Sequence, residues 1–182
     1  MLIEKQIADL ITALRGVLGI GLILLGWLKG ESGLALAAWL MIANWSGDIL
    51  DGAFARWSKQ EIHTWIGDHD LEVDMFVSLG LLIYLLQTGH VSLLAIAVYL
   101  LAWLLIFWRW GFVRALGMLM QAPIYGWFIW IAVQKAPLAG WAMVIWIVTA
   151  VLITWPRFPN QVIPGFLDNI QDFWKHHLRH SS

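Results

Sequence analysis

The chain has 182 residues, 60% of them hydrophobic and 13% charged, with a mean hydropathy of +0.73, which is the composition of an integral membrane protein one domain long. A formal net charge of −1 offers no basic stripe for nucleic acid. The absence of cysteine excludes disulfides, thiolate metal sites and cysteine nucleophiles.

Residues 1–9 read as a short juxtamembrane lead without the basic start and short apolar core of a cleavable signal. A first span over 10–28 is interrupted only by Arg15, and 29–33 is a polar turn. A second span covers 34–56, a polar loop 57–67, and a third span 70–86. The fourth, over 91–108, carries no charge, and a basic junction at 109–114 leads into a fifth over 112–133, where Pro123 predicts a kink. A turn at 135–137 precedes a sixth span over 138–155. Each approaches the ~20 residues that cross a bilayer. The expected fold is an all-α integral membrane bundle of about six transmembrane helices, with 10–155 as its core. In the tail, 156–182, Phe166, Ile170, Phe173, Trp174 and His177 recur at helical spacing, which predicts an amphipathic helix lying on the membrane surface. The chain thus reads as a single domain over 1–182.

Lys5, Arg15, Arg56, Lys59, Arg109, Arg114, Arg157, Lys175 and Arg179 fall at one face of this arrangement, and only Lys29 and Lys135 at the other. By the positive-inside rule both termini are cytoplasmic. A bacterial inner or plasma membrane is the expected location.

The stretch 47–74 sets Asp48, Asp51, Asp70 and Asp74 between apolar segments. On a helix Asp48, Asp51, Ala55 and Arg56 share one face, and Asp70 and Asp74, four apart, share a face of the next helix. Four carboxylates brought together repel unless cations lie between them. Oxygen-only ligands favour a hard divalent ion, Mg2+ first, with Mn2+ or Ca2+ as alternatives. Gly52 and Ala55 leave the same surface nearly bare, with room for a phosphate-bearing ligand. Placing carboxylates at membrane depth costs about 2.5–3.5 kcal/mol each, so they mark function.

These residues resemble the CDP-alcohol phosphatidyltransferase family, whose pattern is Asp-x2-Asp-Gly-x2-Ala-Arg, a spacer, then Gly-x3-Asp-x3-Asp. Asp48, Asp51, Gly52, Ala55 and Arg56 complete the first half, and Gly67, Asp70 and Asp74 supply the second. The chain departs from the pattern in a longer spacer, in a Gly67 shifted toward Asp70, and in Met75 where many members have Lys. LITALR, ending at Arg15, is similar to the family's Leu-Thr-x-x-Arg in its first helix, with Ile11 in place of Leu.

The resemblance implies transfer of a phosphatidyl group from CDP-diacylglycerol to a small polar alcohol, glycerol 3-phosphate or an inositol phosphate, with release of CMP in phospholipid biosynthesis. It implies two Mg2+ or Mn2+ ions on Asp48, Asp51 and Asp70, with Asp74 as general base and further metal contact. Gly52, Ala55, Arg56 and Gly67 would shape the CDP pocket, and Thr12 and Arg15 join from the upstream echo. Family members are often homodimers. Arg109, Arg114 and Arg157 fit simple positive-inside anchoring, and they also lie where an acceptor or lipid phosphate would bind. Two rivals stand beside this reading. A divalent-cation or proton-coupled transporter predicts polar residues continuing across the membrane, whereas the spans are almost purely apolar beyond the aspartates. A catalytically silent relative is suggested by Gly67 and Met75.

Overall fold

The computed structural model describes the backbone of residues 2–57 and 69–155 and, within these, the side chains of 6–7, 9–50 and 69–155. Among the described residues the chain forms helices and no strand: α1 (Leu2–Lys29), a 3-10 turn (Gly30–Gly33), α2 (Leu34–Trp57), α3 (Asp70–Gln87), α4 (Leu93–Trp110), α5 (Arg114–Lys135) and α6 (Pro137–Ile153). The expected tail helix and Arg157, and most of the expected loop with Gly67, lie outside the described residues.

Local chemistry sets the boundaries. The expected lead over 1–9 is helical from Leu2 and continuous with the first span, so α1 is 28 residues, about 42 Å, long. The fourth helix starts at Leu93 because the Ser92 hydroxyl accepts the Ala95 N–H at 3.2 Å. It ends where Gly111 takes φ +78° while its N–H closes on the Phe107 carbonyl, a conformation that a side chain would strain. Pro137 opens α6 at its first turn, and α5 runs unbroken through Pro123.

Among the described residues three helical stretches are long and apolar enough to cross a membrane: Asp9–Leu50, which takes in most of α1, the turn and most of α2, then Leu93–Trp110 and Arg114–Lys135; Pro137–Ile153 is apolar but shorter. Large apolar side chains cover their outer surfaces, among them Leu28, Leu94, Trp108, Leu138 and Ile153. In water such a surface would aggregate; in lipid it is the expected exterior.

The core gathers one stripe from each of five helices. Leu22 and Leu25 of α1, Ala38 and Met41 of α2, Leu81 and Leu85 of α3, Phe128 and Ala132 of α5, and Met143 of α6 are buried together. α3 lies between α1 and α5, and α2 between α1 and α6. α1 crosses α3 at close range: a Cβ added at Gly80 would lie 2.5 Å from the Gly19 carbonyl oxygen. Close backbone approach at small residues is how helices pack where lipid removes the hydrophobic drive between them. α4 is the exception, with Ile96 its one buried residue.

The alternating helices leave two ends. At one, the turns meet: Lys135 holds Glu31 at 2.6 Å, His90 Nε2 lies 3.8 Å from the same carboxylate, and the Tyr84 hydroxyl donates to the Gly30 carbonyl at 3.2 Å. The aspartates are gathered toward the other.

Candidate metal centre

The inward stripes of α1, α2 and α3 do not stop where the apolar core ends. On α1 the stripe Leu22, Gly19, Arg15, Thr12 becomes polar, and on α2 Ala37, Met41, Asn44, Asp48 does the same. On α3 Leu81, Val77, Asp74 and Asp70 follow one face back to the helix start. Helical periodicity therefore delivers core residues at one level and ionic ones at the next.

Oxygen atoms of Asp48, Asp70 and Asp74 lie within 4.8 Å of one another. Arg15 sits among them with its side chain 2% exposed. Its Nη2 lies 3.1 Å from Asp48 Oδ1 and also pairs with Asp74 Oδ1, while Nη1 donates to Asp70 Oδ1 at 3.0 Å. Three carboxylates from two helices thus close on a guanidinium from a third. A buried Arg without such partners would carry a large desolvation cost, so the cluster and the cation need each other.

Small residues make the room. A Cβ on Gly47 would stand 3.2 Å from Arg15 Cδ, and one on Gly117 of α5 would stand 3.0 Å from the Leu71 side chain. The second approach brings Arg114 to 3.9 Å from Asp70 Oδ2, although its side chain stays 67% exposed. From α5 the Tyr125 hydroxyl also reaches the Asp74 backbone carbonyl at 3.5 Å and the Gln121 Oε1 at 3.0 Å.

The donor set fits a hard divalent cation: every ligand atom is oxygen, the spacing is short, and three carboxylates leave negative charge beyond what Arg15 cancels. Asn44, 1% exposed and one turn from Asp48 on the same face, buries a carbonyl oxygen with no hydrogen-bond partner among the described residues. Such an acceptor is costly to leave unmet, and it adds another hard oxygen near the cluster.

Of the residues expected at this site, the structure brings together Asp48, Asp70, Asp74, Arg15 and, from the solvent side, Arg114. Thr12 is buried one turn from Arg15. Asp51, Gly52, Ala55 and Arg56 continue α2 just beyond Asp48, with side chains outside the described set. Arg109 is exposed at the end of α4, its guanidinium 6.0 Å from the Trp110 ring. Sequence reasoning missed Asn44, Gly47, Gly117 and Tyr125. Asn44 carried a signal, as a lone amide one turn from an aspartate inside an apolar span. Comparison of the chain with family models, with curated proteins and with solved structures finds no match in any of the three.

Proposed function

We propose that this chain is a membrane-embedded, metal-dependent phosphatidyltransferase that uses CDP-diacylglycerol to phosphatidylate the hydroxyl of a small alcohol, glycerol 3-phosphate or an inositol phosphate, and releases CMP. One observation carries the reading: Asp48 from one half of the motif and Asp70 and Asp74 from the other converge on one point, around a buried Arg15. Arg15 answers one of the three negative charges, and a bound divalent cation would answer the remainder.

In this reading α1 to α6 each cross the bilayer, the aspartate end faces the cytoplasm by the Lys and Arg bias, and the protein works as a homodimer in a bacterial inner membrane. Asp48, Asp51 and Asp70 would hold the ions, with Asp74 as a further ligand. Mg2+ or Mn2+, two ions when fully loaded, supplies charge neutralisation at the diphosphate. Asp74 takes the proton of the attacking acceptor hydroxyl. The phosphorus–oxygen bond to CMP breaks as the bond to the alcohol oxygen forms, so the phosphatidyl group changes partner without redox change. Arg15 holds Asp70 and Asp74 in register, and Arg114, mostly exposed beside Asp70, meets the phosphate of the acceptor. Gly52, Ala55, Arg56 and Gly67 line the CDP pocket, with Arg109 and Arg157 at the same membrane face.

The test is CMP release by protein purified in detergent, given CDP-diacylglycerol, Mg2+ and a panel of alcohols. Acceptor-dependent release that falls by about 10²-fold or more in Asp74→Asn supports the assignment. A protein that neither binds CDP-diacylglycerol nor releases CMP would exclude it.

A further inference from the structure

A second feature lies at the opposite end of the molecule. Between α3, α4 and α5 is a cavity of about 380 Å³, lined by Leu82, Leu85, Ala95, Ile96, Ile124 and, toward the turns, by His90 and Ser92. Along α3 the lining residue Leu82 is eight residues, about 12 Å, from Asp74 and twelve residues, about 18 Å, from Asp70. None of the cavity's lining residues is among the metal-centre carboxylates, and its polar end lies at the turns, away from them.

Three observations define what fits. The unpartnered polar group is at one end, where the His90 side chain is 8% exposed and its Nε2 has no hydrogen-bond partner among the described residues, Glu31 lying 3.8 Å away, whereas at the other end the Tyr99 hydroxyl is taken up by the Met120 carbonyl. The Ser92 hydroxyl accepts from Ala95 and keeps its own proton to give. From Ser92 to Tyr99 the lining follows α4 for about 10 Å, within the half of a ~30 Å hydrocarbon core that one leaflet occupies. The polar end thus lies at the turns and the apolar end toward the membrane centre, which is the polarity of a lipid in its leaflet. The lining residues Ala95, Pro123 and Trp127 are themselves exposed, on two helices apolar enough to cross the membrane, so bilayer lipid is what the cavity meets. The volume falls in the range of sites for small ligands, about 300–1,000 Å³.

We infer that this cavity is a lipid site that takes one acyl chain of a glycerophospholipid from the surrounding leaflet, with the glycerol ester oxygens at His90 and Ser92. The bound chain fills the gap left because α4 buries only Ile96, and so braces α4 against α3 and α5. The inference rests on the membrane reading alone and stands or falls apart from the transferase.

Reconstitution into phosphatidylcholine vesicles doped with a phosphatidylcholine bearing a diazirine on one acyl chain, followed by irradiation and mapping of adducts, tests it. Adducts are expected on Leu82, Leu85, Ile96 and Ile124 at about tenfold the yield on exposed Leu101 and Leu105, saturating as the probe is raised. Ala95→Trp, which puts a large ring in the mouth, abolishes the cavity adducts and leaves those on Leu101 and Leu105; His90→Ala weakens them about fivefold. If Ala95→Trp fails to insert, Ala95→Leu and the wild-type ratio decide. Adducts spread evenly over the outer face of α4, or cross-links to a second copy of the chain in place of lipid, would overturn the proposal.

Discussion

Replacing Arg15 with Met keeps an unbranched apolar stem beside Gly47 and removes a buried cation that contacts all three aspartates. Removing one partner of a buried ion pair costs about 3–5 kcal/mol. Here the carboxylates are 47%, 26% and 22% exposed, so solvent takes up part of the released charge and the low end, about 3 kcal/mol, applies. At about 2–4 °C per kcal/mol for a chain of this size, the thermal midpoint in detergent with EDTA should fall by about 6–12 °C. A divalent ion replaces the lost charge, so Mg2+ should raise the midpoint of the variant by more than it raises that of the wild type. The assay is thermal unfolding of both proteins across a Mg2+ series. A variant that melts within about 2 °C of wild type in EDTA, or an equal Mg2+ shift in the two proteins, would refute the idea that Arg15 and a metal ion answer the same negative charge.

Gly80→Ala pushes a methyl against the Gly19 carbonyl, which is backbone and cannot rotate away, so a loss of about 1–3 kcal/mol is expected in thermal unfolding. Gly21, whose Cβ would meet nothing within 4 Å, serves as the control and should tolerate Ala. Arg114→Ala should raise KM for a phosphorylated acceptor by about tenfold or more, whereas Arg109→Ala, exposed and stacked near Trp110, should leave it nearly unchanged in the CMP-release assay. Burial, with the Lys135 charge adding to it, holds the His90 imidazole below its usual range, and the Glu31 carboxylate only partly opposes this. As pH falls below about 6.5 the unfolded chain takes up this proton before the folded one does, so stability should decline toward the folded pKa and level off beneath it. His90→Gln should flatten that part of the profile; an unchanged slope would assign it to other groups.

The apolar periods and their breaks were sufficient to place the helices among the described residues, because long apolar segments satisfy their backbone groups most simply as helices. Pairs such as Asp70 and Asp74 were legible for the same reason: spacing along one helix fixes a shared face. Boundaries moved where single groups decide them, as at Ser92 and Gly111, whose capping roles depend on dihedral angles rather than on pattern.

The sequence by itself determined the long apolar stretches, the helical segments among the described residues and the halves of the aspartate pattern, since each depends on residues close along the chain. Tertiary structure alone decided that Asp48 meets Asp70 and Asp74, that Arg15 is the cation between them, and that Arg114 reaches this cluster while Arg109 lies beside Trp110. Those facts depend on the angle and depth at which helices cross. That geometry is set by close approaches such as Gly19 on Gly80 and Gly117 on Leu71, which join residues far apart in the chain and leave no period in it to read.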